Sequence, residues 1–444
     1  MNARYTAFQA LQKLKGKDGY SNIVLDAVLK NSGLSHVDRG FVAALFYGVL
    51  ERGITLDAVI RRYLRPSMKL SRPVELVLQL GLYQLLYMDK IPDNAAVDES
   101  VKLVRKIGQP KAAGLVNAIL RQFIRDQKKI PLPDSGIQRL SVEYACPEWI
   151  IESFTKDYGY DNCVGILKSF LQHRYLAVRV NTNQISAADL LMLFTEQGIQ
   201  VRRSTICPDA LILEGAGDVR QLPGYAQGLF HVQDLAAQLC VQALNIAGTM
   251  RVLDVCAAPG GKSFTIAQQL ENDGEVLALD LYPQKVELIR QGAERLHLQN
   301  IHAAVQDACV YNPALGSFDR VLCDLPCSGL GILAKKPEIR YKNVAFLDNL
   351  PELQYHLLCI SACYLQVGGI LVYSTCTLRN AENAQICNRF LQAHPEFAPY
   401  SIFQNMQRAI QEPAHMLTLL PQMYHTDGFF ICAFQKIKEP VCET

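Results

Sequence analysis

The sequence predicts an α/β chain whose C-terminal part, 227–444, is a doubly wound parallel sheet, preceded by an all-α domain over 1–140 and a small α+β linker domain over 141–226. Three observations predict it. After Met250, strand-like and helix-like segments alternate in order; before residue 130, apolar residues recur at helical spacing; and the charge changes sign between the two regions. Residues 1–140 carry 22 Lys/Arg against 12 Asp/Glu, and the remaining 304 carry 22 against 30, so a net +10 adjoins a net −8. A basic front end points to a polyanionic partner.

At the front, Asp38 is a candidate cap for a helix whose face carries Val42, Leu45, Phe46, Val49 and Leu50. Between Pro73 and Met88 only Glu75, Gln79 and Gln84 are strongly polar, which suits a helix surrounded by others. The stripe Val97, Val101, Val104 ends at Gly108, and Leu115 to Ile124 repeats the pattern. The run KKIPLPDSG at 128–136 combines two prolines and a glycine and marks a boundary. Short strands LAVRVN, VRRS and ALIL then surround one helix, AADLLMLFTEQG. The alternating region reads RVLDV, SFTIAQQL, EVLALDL, QKVELIRQGAERL, IHAAVQ, DRVLCDL, a helix over 352–366, ILVYST, and a helix over 382–394. A parallel sheet of this kind binds ligands beyond the carboxyl ends of its strands.

Half of the 444 residues are apolar, which excludes a disordered or fibrous chain. All 14 cysteines lie beyond residue 145 with no C-x-x-C spacing, so free thiols in a reducing cytosol are expected, and no metal. The start, MNARYTAFQALQKLKGK, has no apolar core of a secretory signal. The long uncharged stretch from Glu352 to Arg379 is divided by Gly368-Gly369 and is not read as a membrane span. The expectation is a soluble, cytoplasmic protein, with a monomer as the default.

The first strand ends in DVCAAPGGKS at 254–263, where Gly260 and Gly261 allow a tight turn and close approach to a ligand. A P-loop needs glycine where Cys256 stands, and G-x-G-x-x-G is absent, so phosphates are not the target. Asp280 at the end of the second strand suits two ribose hydroxyls, and Asp307 at the end of the third suits an adenine amino group. An adenosine ligand without phosphates fits, and S-adenosylmethionine is one. Asp254 reads as a support for the loop, whereas Lys262, at a helix start that favours anions, is open to a catalytic-pocket role as well as a surface one.

The fourth strand ends in CDLPCSGLG at 323–331 and the fifth in YSTCT at 373–377, so Cys327 and Cys376 emerge on the cofactor rim. Two thiols there suit covalent catalysis on a cytosine: C5 becomes nucleophilic once a thiolate adds to C6, and a second basic group can serve when the C5 proton leaves. Asp324, protonated or sharing a proton, is placed to hold cytosine N3. Cys240, Cys359, Cys363 and Cys432 are expected to be inert core thiols.

DVCAAPGGK, DLPCSGLG and YSTCT together resemble the RNA cytosine-C5 methyltransferases of the RsmB, Nop2 and Sun type. The resemblance extends through GLFHVQD at 228–234, PEIRY at 337–341 and TDGFF at 426–430, and covers the chain from about 177 onward. AAVDESVKLVRK and AAGLVNAILR resemble the NusB-like domain of the branch that acts on small-subunit (16S) ribosomal RNA. The resemblance implies a Rossmann-like methyltransferase domain, S-adenosylmethionine as cofactor and ribosomal RNA as partner. It implies Cys376 as nucleophile and Cys327 as the residue that assists release. Cys256, Ala257, Ala258, Pro259, Gly260, Gly261, Lys262, Asp280, Asp307 and Asp324 would line the cofactor site. Two departures are Leu235, where an acidic residue is common, and Tyr341-Lys342-Asn343 in place of Trp-Arg-Arg. The alternatives are a transfer RNA substrate and a non-catalytic ribosome-assembly factor. The DNA enzymes use the Pro-Cys thiol and would leave YSTCT without a role. The stretch Arg61 to Arg72, with five Lys/Arg, no acid and Tyr63 interleaved, is the candidate RNA grip, extended by Arg121, Arg125, Lys128 and Lys129.

Overall fold

A computed structural model describes residues 2–14, 21–172, 175–270, 274–342, 344–402 and 415–439. They fall into two compact units: 1–171 with 333–342, and 172–332 with 343–444.

The first unit is helical. Its longest helix, His36–Tyr63, is capped by Ser35, whose Oγ accepts from Asp38 N at 3.1 Å. Asp38, the expected cap, is the third helical residue and accepts from the Ser35 hydroxyl at 2.7 Å, so it supports the cap rather than forming it. Val42, Leu45, Phe46 and Val49 are buried against Val77 and Leu78 of Arg72–Tyr87, Val104 of Asp93–Lys106, and Val116, Leu120 and Phe123 of Ala113–Arg125 in one core. Gln79 and Gln84 are buried with partners: Gln79 donates to Asp57 at 2.5 Å, and Gln84 donates to Leu80 O at 2.8 Å and accepts from Arg4 at 2.7 Å. These bonds permit polar groups on an enclosed helix.

The expected division at 140 falls inside the helix Gly136–Tyr144. That helix belongs to the first unit, where Thr55 Oγ1 donates to Val142 O at 2.5 Å, and Glu148–Tyr158 and Tyr160–Ser169 continue it. Apolar residues at helical spacing, Leu140, Ile150, Ile151 and Phe154, carry the core past the proline run.

The described residues of the second unit form two sheets. β1 (Leu176–Val180), β2 (Gln200–Arg203), β3 (Ala210–Glu214) and β4 (Phe230–Val232) form an antiparallel sheet in the order β2-β3-β1-β4. The helix Ala187–Glu196 buries Leu190 and Phe194 with Val178, Leu211, Leu213 and Phe230 of this sheet. β4 lies beyond the expected limit at 226 because Val178 to Val180 take 230–232 as their antiparallel partner.

The larger sheet comprises β5 (Arg251–Asp254), β6 (Glu275–Asp280), β7 (Ile301–Val305), β8 (Phe318–Asp324), β9 (Leu365–Thr375), β10 (Phe397–Pro399), β11 (Met416–Leu419) and β12 (Phe429–Lys436). Its order is β10-β12-β9-β8-β5-β6-β7, with β11 also on β12. β5 to β9 run parallel, and β12 is antiparallel to β9. From β5 the chain continues to β6 on one side and later to β8 on the other, so the crevice opens beyond Asp254 and Asp324. The helix expected over 352–366 stops at Ala362, and β9 already begins at Leu365. Gly368 and Gly369 lie within β9, where the pairing with β8 shifts register between Phe318 and Arg320. Gly368 takes φ +84°, and a Cβ on Gly369 would stand 2.9 Å from Asp319 O, so the two glycines form a bulge. No described helix is long and apolar enough to cross a membrane.

Candidate active site

From Asp254 the chain turns through Cys256 to Pro259 into the helix Gly261–Gln269. Ala257 N donates to Leu279 O, and Gly260 N to Ala257 O, both at 2.8 Å, which fixes the turn against β6. Gly260 takes φ +106°, and a Cβ there would stand 2.4 Å from the Phe264 ring. Only glycine meets both conditions.

Beside the turn lies a cavity of about 200 Å³, walled by Asp254, Cys256, Ala257, Ala258, Pro259, Gly261, Lys262 and Asp324, with Val232, Gln233, Asp234 and Ala237 also lining it. Gly260, Asp280 and Asp307 are not on this wall. Asp280 is buried and adjoins it: one carboxylate oxygen accepts from Ala258 N at 3.3 Å, the other from Tyr282 N at 3.2 Å, and Lys285 Nζ lies 3.7 Å away. Asp307 is exposed two residues past β7 and accepts from Cys309 N at 2.9 Å, closing its own turn. Gln233 and Asp234 were part of a recognisable motif but carried no expected role. Gln233 Nε2 donates to Gly261 O at 3.1 Å, and Asp234 caps the helix Leu235–Gln242 by accepting from Ala236 N at 2.9 Å. Leu235 is a buried first residue of that helix.

Lys262 Nζ donates to Asp324 Oδ2 at 2.5 Å, and Ser374 Oγ donates to Asp324 Oδ1 at 2.8 Å. Burial, the largest single influence, would lower the pKa of the Lys262 ammonium, but the charge and hydrogen bond of Asp324 together with Cys240 and Asp254 outweigh it, and the net shift is upward. Both Asp324 oxygens therefore act as acceptors, and the proton available at this position sits on Lys262. Asp254 is buried, and Ser263 Oγ donates to its Oδ2 at 2.7 Å. Burial pushes its carboxyl up to about 7, against the Ser263 hydrogen bond, which favours the anion.

Cys327 Sγ and Cys376 Sγ lie 3.3 Å apart, at the ends of the neighbouring strands β8 and β9. The hydrogen bond to Cys376, together with burial, pushes the Cys327 thiol well above its ordinary range. Cys240 and Cys432 are fully buried, as core thiols should be, whereas Cys359 is half-buried and Cys363 exposed. The helix ends at Ala362 and turns Cys363 outward, a boundary the expected helix had placed later.

His231 of β4 is buried, with Nε2 3.2 Å from Gly261 O, and burial depresses its pKa to about 3. Unfolded histidine titrates near 6.5, so the folded state must exclude a proton that the unfolded chain binds, and stability is lost as pH falls from about 6.5 towards 3. Asp254 acts in the opposite sense, its raised pKa adding stability as pH falls through 7. Wild type should therefore lose about 2 kcal/mol more between pH 7 and 5 than His231→Gln in urea melts. Equal pH dependence in the two proteins would remove His231 from the account.

In the helical unit, Arg61, Arg62, Arg65 and Lys69 are exposed. Tyr63 donates to Asp126 Oδ2 at 2.7 Å, so its hydroxyl is engaged in structure. Lys128 pairs with Asp93 at 2.7 Å, while Arg121 and Arg125 bond to Asn117 and Gln122 of their own helix. Tyr341, one of the noted departures, donates to Leu50 O at 2.8 Å, and Glu338 accepts from Ser21 N at 3.3 Å. Asn343 lies outside the described residues.

Comparison with known proteins adds the following. Residues 241–435 match the family model "16S rRNA methyltransferase RsmB/F", residues 1–125 the NusB family, and 146–220 the ferredoxin-like domain of RsmF/B-like methyltransferases. A Bacillus subtilis protein named probable ribosomal RNA small subunit methyltransferase B is 35% identical over 98% of this chain and 99% of its own length. A Pseudomonas putida protein named ribosomal RNA small subunit methyltransferase B is 32% identical over 98% and 99%. Among solved structures, that of PH0851 matches with a TM-score of 0.81 at 22% identity over 98% of both chains. The structure titled NSun6 from Pyrococcus horikoshii with SFG matches with a TM-score of 0.60 at 20% identity, over 66% of this chain and 99% of that one.

Proposed function

Because the chain belongs to the RsmB/F family of 16S rRNA methyltransferases, with a NusB-like helical front, a ferredoxin-like domain and a Rossmann-like methyltransferase fold, we propose that it methylates C5 of a cytosine in small-subunit ribosomal RNA in the cytoplasm through a covalent cysteine adduct. The observation that carries the reading is the pair of thiols 3.3 Å apart on the rim that also holds the Lys262–Asp324 pair.

The cofactor is S-adenosylmethionine, and the residues at the turn fit it. A Cβ on Gly261 would meet nothing closer than 4.0 Å, which leaves room beside the backbone. The buried Asp254 carboxylate on the wall suits an ammonium donor, and Asp280 at the end of β6 suits a ribose diol. When bound, the cofactor supplies an electrophilic methyl group on a sulfonium centre. Removing the Asp280 carboxylate should cost about 1.5–3 kcal/mol, or roughly ten- to a hundredfold in affinity. Calorimetry with S-adenosylhomocysteine checks this, and unchanged binding by Asp280→Ala would remove the residue from the site.

The target base must be turned out of its stack to reach the rim. Cys376 Sγ, as thiolate, bonds to C6, and the electron pair of the C5–C6 double bond moves into the ring, leaving C5 nucleophilic. The Lys262–Asp324 pair stabilises the charge that develops at N3 through the proton it shares. After C5 gains its methyl group, the C5 proton must leave before the bond from Cys376 to C6 breaks. Cys327, whose sulfur lies 3.3 Å from that of Cys376, is assigned that step. The hydrogen bond with Cys376 and the repulsion between two thiolates, which raise its pKa, weaken once the Cys376 sulfur is bonded to carbon, so Cys327 becomes easier to ionise when a base is needed.

The exposed basic stretch of the helical unit is assigned to RNA phosphates. Replacing Arg61, Arg65 and Lys69 together by alanine should reduce the log–log salt slope of RNA binding by about 2 and leave cofactor affinity unchanged. An unaltered slope would assign the helical unit another partner. The reading as a whole is tested by bisulfite sequencing of ribosomal and transfer RNA from cells with and without the protein. Loss of one 5-methylcytosine from small-subunit ribosomal RNA is expected; loss from a transfer RNA, or no loss, would overturn it.

A further inference from the structure

The two cysteine loops are held at both flanks by a pair of consecutive residues. On the Cys327 side, Gln354 Nε2 donates to Pro326 O at 2.9 Å and to Glu382 Oε2 at 3.0 Å. Ser328 N donates to the same Glu382 oxygen at 2.8 Å. On the Cys376 side, Thr375 Oγ1 donates to Asn383 Oδ1 at 2.6 Å, and Asn383 Nδ2 donates to Thr377 O at 3.0 Å. Ser328 Oγ and Thr377 Oγ1, each one residue past a cysteine, lie 2.6 Å apart and join the loops directly. Tyr373 OH, at the end of β9, donates to Glu382 O at 2.5 Å.

Glu382 and Asn383 are both buried, and Arg379 NH1 lies 3.8 Å from Glu382 Oε1. Burying a carboxylate costs several kcal/mol, and apolar residues of similar volume would serve stability as well or better. What this cluster provides instead is geometry. Residues 326 and 328 are fixed through Glu382 and its partner Gln354, residues 375 and 377 through Asn383, and the two anchors are joined by one peptide bond. The sulfur between each pair of fixed flanks has little freedom left except rotation about its own side chain.

We propose that Glu382 and Asn383 are positioning residues that clamp the Cys327 and Cys376 loops at the separation the reaction needs. The proposal rests on the two-cysteine reading above and deepens it. Neither residue lines the cavity beside the glycine turn; both act through the backbone that carries the thiols. A displacement of about 1 Å between reacting groups can cost on the order of a hundredfold in rate.

The test reads the distance between the sulfurs separately from catalysis. Purified full-length protein without RNA is treated with diamide, which accepts the two thiol hydrogens as a disulfide forms, and the Cys327–Cys376 cross-link is followed by peptide mass mapping. Glu382→Ala and Asn383→Ala should cross-link at least about tenfold more slowly than wild type and lose on the order of a hundredfold in kcat. Their affinity for S-adenosylhomocysteine should be unchanged. Glu382→Gln keeps an acceptor for Ser328 N and should recover both cross-linking and turnover in part. Should an alanine variant fail to fold, Thr375→Val, which removes a single hydrogen bond of the clamp, decides the same question. Wild-type cross-linking and turnover in the variants that fold would overturn the proposal. If wild type forms no adduct with RNA, the reading of the chemistry fails, while the cross-linking comparison still decides the clamp.

Discussion

Replacing Cys376 by alanine is expected to abolish both the covalent RNA complex and the methylated product, while Cys327→Ala traps a protein–RNA complex that survives denaturing electrophoresis. Similar substitutions give opposite outcomes because the two thiols serve opposite ends of the reaction. Without Cys376 no bond to C6 forms, so C5 never becomes nucleophilic. Without Cys327 the bond forms and the methyl group arrives, but the C5 proton stays and the Cys376 sulfur cannot leave. Both variants should bind S-adenosylhomocysteine as wild type does, since neither sulfur lies on the wall of the cofactor cavity. A complex with Cys376→Ala and none with Cys327→Ala would reverse the roles and make the Pro-Cys thiol the nucleophile.

The second large effect is expected at Lys262. Lys262→Met keeps the length of the side chain and removes the ammonium, leaving the Asp324 carboxylate with Ser374 as its remaining hydrogen-bond partner in the pair. Breaking a buried pair typically costs about 3–5 kcal/mol; Asp324 keeps 27% of its side-chain exposure, which places this case at the low end. The loss should be largely relieved in Lys262→Met/Asp324→Ala, where no lone charge remains, and urea melts of the two single variants and the double variant measure the coupling. Turnover should fall in all three, because the shared proton at the base is gone. If the double variant were as destabilised as the sum of the single ones, the two residues would not be coupled in the folded state.

The sheet was legible because parallel strands buried on both faces read as apolar runs between amphipathic helices, and the chemistry sits where those runs end. Asp254, Asp280 and Asp324 could thus be placed at strand ends from the sequence, and the glycine turn from its spacing. Less legible were features made by hydrogen bonds between distant segments. Ser35 and Asp38 are both acceptable caps, and only the geometry of the first turn decides between them. β4 is three residues long and gains its identity from pairing with β1. β12 is an antiparallel strand at the β9 edge, outside the strand–helix alternation that revealed the others. The Glu382–Asn383 clamp joins residues from 326 to 383, and a Glu-Asn pair before a helix ordinarily reads as a cap. Asp307 shows the opposite case, since its place after β7 was legible while its engagement in a local turn was not.

In the proposed reaction a thiol of this chain bonds to a cytosine of ribosomal RNA during methyl transfer. The most direct measurement uses small-subunit ribosomal RNA in which cytidine is replaced by 5-fluorocytidine, incubated with the protein and S-adenosylmethionine. Fluorine at C5 cannot leave as a proton does, so the reaction stops after methyl transfer with the sulfur still bonded to C6. Proteolysis, nuclease digestion and mass mapping should find the peptide containing Cys376 joined to a methylated fluoropyrimidine nucleotide. Attachment at Cys327, or methylation of unsubstituted RNA with no adduct on either cysteine, would contradict the account.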